Sequence, residues 1–222
     1  LTLYHPLSLY LDHQQDHARG LALAQRVQTA LLAYPASVIH GQLALELVSV
    51  LDDAAARYLL LKQYAAAEQA YRQTLEIAKR NEDPQHPDKG IAGIYHQLGM
   101  VAQAQRQWAQ AEAYYKHALH LKIEFKDRYA QAGTYHQLGM LAEEQRQWAQ
   151  AEAYYKQAFQ IDIEFKDRYS QAGTYHQLGM VAQEQRQWAQ AKAHLLQALQ
   201  IFREFDDQHY VGTTFRSLAR LW

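Results

Sequence analysis

The hexapeptide Tyr-His-Gln-Leu-Gly-Met occurs three times, at residues 95–100, 135–140 and 175–180, with the copies forty residues apart. The likeness extends well beyond the hexapeptide. Residues 91–130 and 131–170 agree at 29 of 40 positions, and 131–170 and 171–210 agree at 27 of 40. Self-similarity at a period between about twenty and fifty residues marks an array of supersecondary units, none of which can bury its apolar face alone. Copies this alike must fold alike, so one unit can be read for all three.

Residues 131–170 serve as that unit. Tyr135, Leu138, Leu141 and Ala142 recur at three- and four-residue spacings, the period of a helix. Gly139 falls inside this stretch, where it costs about 1 kcal/mol relative to alanine. Its return as Gly99 and Gly179 suggests that the backbone of another helix passes close by. Arg146 and Gln147 break the period. A longer second helix then follows, marked by Trp148, Ala151, Tyr155, Ala158, Phe159 and Ile161. Glu152 and Lys156 form an (i, i+4) pair in the favourable order, Asp167 suits the N-cap of the next helix, and Phe165 anchors it. Each unit is expected to be two antiparallel helices joined by a tight turn. The chain as a whole is expected to be all-α, a right-handed α-solenoid of such pairs.

Composition agrees with that class. Alanine, glutamine, leucine and tyrosine dominate, with only ten glycines and four prolines. Lys+Arg is 22 against Asp+Glu 23, so no net field draws the chain to nucleic acid or to an anionic membrane. The absence of cysteine excludes disulfides and thiolate metal sites. No apolar run reaches the eighteen or so residues that suggest a membrane span, and no secretory signal is visible. The chain begins at Leu1 and runs to Trp222 within an apolar helical pattern, reading as a cytoplasmic segment of something longer.

The unit resembles a tetratricopeptide repeat, whose pattern runs W-x2-L-G-x2-Y, then A-x3-F, then a further small residue. The middle copy supplies Tyr135, Leu138, Gly139, Ala142, Ala151, Tyr155 and Ala158. The first supplies Tyr95, Leu98, Gly99, Ala102, Ala111, Tyr115 and Ala118, and the third Tyr175, Leu178, Gly179, Ala182, Ala191, Leu195 and Ala198. Alanine stands where the pattern has its second tyrosine, the closing proline is missing, and the period is forty rather than thirty-four. The surplus residues are expected in the second helix and in the loop between units. On this basis the array divides into repeats at 91–130, 131–170 and 171–210, with a diverged repeat at 47–90 and the first helix of a further repeat at 211–222. In the diverged repeat Ala55 takes the glycine's place, and Pro84 and Pro87 stop any helix in its loop. Residues 1–46 are expected to form an N-terminal helical region or a diverged repeat, with helices at 7–17 and 18–33.

In such repeats the first helix of each unit lines a ligand groove. The resemblance therefore assigns His136, Met140, Glu143 and Glu144 of the middle copy to that groove. Equivalent positions are His96, Met100, Gln103 and Ala104 before it, and His176, Met180, Gln183 and Glu184 after it. Copies of the first helix differ mainly at Val101/Leu141/Val181, Gln103/Glu143/Gln183 and Ala104/Glu144, and the last two sets fall on that face. The histidines recur on neighbouring helices about 10 Å apart, too far to share one metal at about 2 Å per bond. The tryptophans Trp108, Trp148 and Trp188, at the starts of second helices, are expected to fill the core between a unit's helices.

Catalytic signatures are missing: the chain has no phosphate loop, no nucleophile elbow and no cysteine nucleophile. No metal, cofactor or enzymatic activity is expected. The partner implied is a protein or peptide chain rather than nucleic acid or membrane, and the chain is expected to be monomeric unless its apolar ends associate. The family's chaperone-tail clamp needs lysine and asparagine where this chain has His, Gln and Met. Runs such as EFKDRYAQAGTYHQLGM instead resemble the sensor repeats of bacterial STAND-class signal-transduction ATPases. The alternative is a structural spacer or self-association module, using apolar residues such as Leu218 and Trp222.

Overall fold

A computed structural model describes residues 4–35, 37–81 and 89–221. Pro84, Pro87 and Trp222, to which the sequence assigns roles, lie outside the described residues. Those described form eleven helices and no strand: α1 (Tyr4–His13), α2 (His17–Leu32), α3 (Gly41–Leu60), α4 (Tyr64–Arg80), α5 (Lys89–Ala104), α6 (Trp108–Glu124), α7 (Arg128–Glu144), α8 (Trp148–Glu164), α9 (Arg168–Glu184), α10 (Trp188–Glu204) and α11 (Gln208–Ala219). The chain divides into two compact units, Leu1–Ala118 and Leu119–Trp222. Within each, helices that are consecutive in sequence pack on one another.

The turns explain the period. At the end of α7, Arg146 takes a left-handed φ of 58°. Its N–H donates to the Glu143 carbonyl at 2.9 Å, and the Gln147 N–H donates to the Ala142 carbonyl at 2.8 Å. This pair of bonds is a Schellman closure, which satisfies two of the carbonyls a helix end leaves open. Gln147 is at once the last residue of the closure and the N-cap of α8. The same pair of bonds recurs around Gln15, Lys62, Arg106, Lys126, Lys166, Arg186 and Asp206, all with φ between 53° and 59°.

Helices α7 and α8 each have 17 residues. Two such helices, each followed by a three-residue turn, account for the forty-residue repeat. The surplus over thirty-four therefore lies wholly in the helices, and the loop between repeats is as tight as the loop within one. Asp167 caps α9 as expected, accepting from the Ser170 N–H, and Asp127 and Asp207 start α7 and α11 in the same way by accepting from the N–H groups of Ala130 and Tyr210. Near the N-terminus Asp16 does the same for α2, which starts at His17 rather than at 18. Helix α3 starts at Gly41, upstream of the expected position, from a glycine with φ 54°.

Packing between paired helices rests on small residues. Ala151, Ala158, Ala191 and Ala198 are buried, as are the ring of Tyr155 and the side chain of Leu195. A Cβ on Gly139 would lie 2.6 Å from Cε1 of Tyr155, and one on Gly99 2.5 Å from Cε1 of Tyr115. At 99 and 139 the glycine thus makes room for a tyrosine ring, whereas a Cβ on Gly179 would meet Leu195 and, at 3.3 Å, the Ala191 carbonyl of the facing backbone. The tryptophans are not the filler expected of them. Trp108 and Trp148 are half-buried at the rim and Trp188 is 52% exposed, because alanine leaves no space for an indole between the helices.

In the first unit a buried arginine gathers a charged cluster at the edge of the apolar core. The Arg57 side chain, 1% exposed, donates through Nε to Asp53 Oδ1 at 3.0 Å and through Nη2 to Ser8 Oγ at 2.8 Å. Nη1 lies 2.8 Å from Asp12 Oδ1, and Tyr4 and Ser8 donate to the second oxygen of Asp53. A Cβ on Gly20 would fall 1.9 Å from Arg57 Nη1, so the glycine is the space the guanidinium occupies.

In the second unit the buried junctions between repeats vary in chemistry. Lys122 Nζ donates to Thr134 Oγ1 at 2.7 Å and to the Ala130 carbonyl at 3.2 Å, and burial holds its pKa below the ordinary lysine value. At the equivalent place Asp162 accepts from Thr174 Oγ1 at 3.3 Å. Burial pushes the Asp162 carboxyl up to about 6. In the third copy the place holds Phe202, and Thr214 Oγ1 is buried without a partner among the described residues.

Arg57→Ala is expected to cost about 2–5 kcal/mol in the first unit, because it empties a fully buried side-chain site and removes the donor shared by Ser8 and Asp53. Hydrogen exchange should show faster opening of α1–α3 with α9–α11 unchanged, since stability in arrays is nearest-neighbour. The raised Asp162 pKa favours the neutral acid in the folded chain. Its contribution is therefore full below about pH 4 and lost as pH rises through about 6. Asp162→Asn should accordingly stabilise the chain by about 1–3 kcal/mol at pH 7.5, with the gain vanishing towards pH 4. Urea unfolding of both proteins across that range checks it.

Candidate functional cleft

On α7, Gln131, Ala132, Thr134, Leu138, Gly139, Leu141 and Ala142 are buried, which fixes the opposite face as the solvent face. Gly133, Met140 and Glu144 run along the centre of that face, flanked by His136, Gln137 and Glu143. Helix α9 repeats the arrangement with Gly173, Met180 and Glu184. Between the two helices lies a cleft of about 270 Å³. Met140, Glu143 and Glu144 form one wall, and Gln177, Met180 and Glu184 the other. Trp148, from the first turn of α8, closes one side.

Five of the expected groove residues thus line one cleft: Met140, Glu143, Glu144, Met180 and Glu184. Sequence reading missed Gln177 and Trp148. The tryptophan could have been found from the alanines beside it, which leave it no interior position. His136 and His176 do not line the cleft. The His136 ring packs against Tyr155 with centroids 5.3 Å apart, and His176 Nε2 lies 3.2 Å from Ser217 Oγ. Burial lowers the pKa of both, so both are neutral at pH 7. Gln183 also stays out of the cleft, its Oε1 buried without a partner among the described residues.

In the first unit the His96 ring packs against Tyr115 at 5.4 Å, Met100 is half-buried and Ala104 is exposed. Gln103 Oε1 accepts from the Tyr115 hydroxyl at 2.8 Å. Glu143 holds the same place in the middle copy and accepts from the Tyr155 hydroxyl at 2.8 Å. Burial raises the Glu143 pKa, the hydrogen bond from Tyr155 opposes this, and the charges of Glu184 and Glu144 raise it further. The first unit has a second cleft of about 270 Å³ near the end of α4, lined by Leu32, Tyr34, Ile39 and Ile77 with Gln73, Glu76, Arg80 and Asn81.

The cleft offers apolar contact beside acidic charge. Methionine adapts its shape to an apolar guest, tryptophan offers a broad flat surface, and the carboxylates supply charge at the rim. Among the described residues, no three His, Asp or Glu side chains are placed to hold a metal ion, and no helix is long and apolar enough to cross a membrane.

No curated protein matches the sequence. Several solved structures share its fold. BtubC (BKLC) from P. vanneervenii is 21% identical, with a TM-score of 0.77 over 92% of this chain and 82% of that one. The nearly identical TPR-like repeats of a Podosopora anserina kinesin light chain are 16% identical, with a TM-score of 0.74 over 94% and 97%. The Rap conjugation gene regulator of plasmid pLS20, solved in complex with the Phr* peptide, is 15% identical, with a TM-score of 0.74. There the likeness covers 93% of this chain but only 54% of the regulator, so the chain spans about half the regulator's length. Tetratricopeptide repeat profiles match residues 90–164 and 170–221, and a further one matches 47–88. With profiles covering more than half of its length, the chain belongs to the tetratricopeptide repeat family.

Proposed function

We propose that the chain is a non-catalytic scaffold that binds a protein or peptide, with an extended or helical segment of the partner lying in the cleft between α7 and α9. The observation that carries this is the cleft itself. Met140, Met180 and Trp148 leave apolar surface open between two rigid helices, where water gains nothing and a partner's side chain would. Gly133 adds support. It sits within α7, where glycine costs about 1 kcal/mol, yet a Cβ there would meet nothing within 4 Å. Packing does not require this glycine, in contrast to Gly139. A bare backbone on the solvent face suits the close approach of another chain. The regulator solved in complex with the Phr* peptide shares this fold over about half of its length, which supports the reading.

The three near-identical copies also fit the sensor region of a STAND-class signalling protein acting in the cytoplasm, where the array would detect a trigger for a separate nucleotide-binding module. The parent gene decides that finer point: a phosphate loop encoded in the same reading frame supports it, and its absence removes it.

For the cleft, binders selected from a random peptide library should weaken at least tenfold towards Met140→Ala/Met180→Ala, since one buried methionine contributes about 1.5–3 kcal/mol. The melting temperature should hardly move, because both side chains are half-buried at the surface. With 5-fluorotryptophan incorporated, the fluorine resonance assigned to Trp148 should shift on binding. Binders that shift only the other tryptophans would place the site elsewhere.

A further inference from the structure

Given that the cleft receives a peptide, we propose that the segment it accepts presents a lysine or arginine beside an apolar side chain. Every ionisable residue lining the cleft is acidic: Glu143, Glu144 and Glu184. Met140, Met180 and Trp148 supply the apolar counterpart. Charge complementarity therefore selects a cation, and the methionines select an apolar neighbour to it.

The internal repeats provide a control that isolates the charge at Glu143. The frame needs an acceptor there for the tyrosine hydroxyl of the second helix, and in the first copy Gln103 fills that need at 2.8 Å without charge. Glu143 makes the same bond at the same length. The middle copy thus keeps a half-buried carboxylate where an amide suffices, close enough to Glu144 and Glu184 for their charges to oppose its ionisation. A carboxyl group that the fold does not require, set beside like charges at the wall of a cleft, gains from a bound cation. A guanidinium or ammonium reaching Glu143 would add charge-assisted hydrogen bonds to the one it accepts from Tyr155 and offset the repulsion from its acidic neighbours.

The test uses the whole chain against an immobilised array of random octapeptides, comparing wild type, Glu143→Gln and Glu144→Gln/Glu184→Gln. Glu143→Gln preserves the acceptor for Tyr155, so its melting temperature should be unchanged or higher. Wild-type binders should be enriched in Lys or Arg adjacent to Leu, Met or an aromatic residue. Affinity for those peptides should fall about tenfold in Glu143→Gln and further in the double variant, as expected for a lost charge-assisted contact, and it should weaken with added salt. Binders enriched in acidic or uncharged residues, or basic binders indifferent to the three glutamates, would overturn the charge assignment and leave the peptide-binding reading in place. An array with no binders at all would remove both.

Discussion

The Schellman closure that ends eight of the described helices, α1, α3 and α5–α10, is the constraint on which the rest of the structure depends. Two backbone hydrogen bonds and one left-handed residue reverse the chain in three positions, and the residue completing the closure begins the next helix. So short a turn leaves the following helix no choice but to lie antiparallel against the previous one. Contact at that range demands small side chains, hence the buried alanines at 151, 158, 191 and 198. The left-handed place is usually glycine's, since other residues pay about 1 kcal/mol or more for it. Here it is filled by lysine, arginine, glutamine or aspartate. A long polar side chain at the tip stays in water and keeps the outside of each turn hydrophilic.

Within this frame, Gly139 and Tyr155 act as one joint. The missing Cβ admits the ring, and the ring carries a hydroxyl across to the residue at 143, fixing the last turn of α7 relative to α8. In the third copy the joint is altered. Leu195 fills the same space without a hydroxyl, and Gln183 Oε1 is left buried without a donor among the described residues. One aromatic place thus sets both the packing of the pair and the orientation of a cleft-wall side chain. A core substitution at that place would therefore reshape a wall of the cleft from within.

How much of this the sequence disclosed depends on the kind of interaction involved. Periodicity and repetition are local properties, and they revealed the helix pairs, the Glu152–Lys156 pair and the aspartate cap at 167. The left-handed turns are hard to see in sequence because no glycine or proline marks them, which is why α2 starts at His17 and not at the expected 18. The reason for Gly139 is equally hidden, because distinguishing a neighbouring ring from a neighbouring backbone needs three dimensions. Residue type alone points Trp148 to the core, although the alanines around it have already used the available volume. In the cleft, the family resemblance indicated the face of α7 and α9. It did not distinguish His136, which turns towards Tyr155, from Met140, which lines the opening.

The junctions between repeats show where variation is cheap and where it is not. Residues 122, 162 and 202 occupy one buried place as Lys, Asp and Phe, each facing the threonine twelve residues on. Lysine and aspartate each hydrogen-bond that threonine at the cost of desolvating their own charge, and phenylalanine avoids that cost but strands the hydroxyl. None of the three is free of penalty, and each burdens only its own junction, because neighbours in an array share energy only across their common face. An array can therefore keep nearly identical helices while its junctions differ in stability and in response to pH. The Asp162 junction, between α8 and α9, is the one whose charge state changes near pH 6. Helix α9 also supplies one wall of the cleft, so loosening there would reach the cleft directly, with no relay through distant repeats.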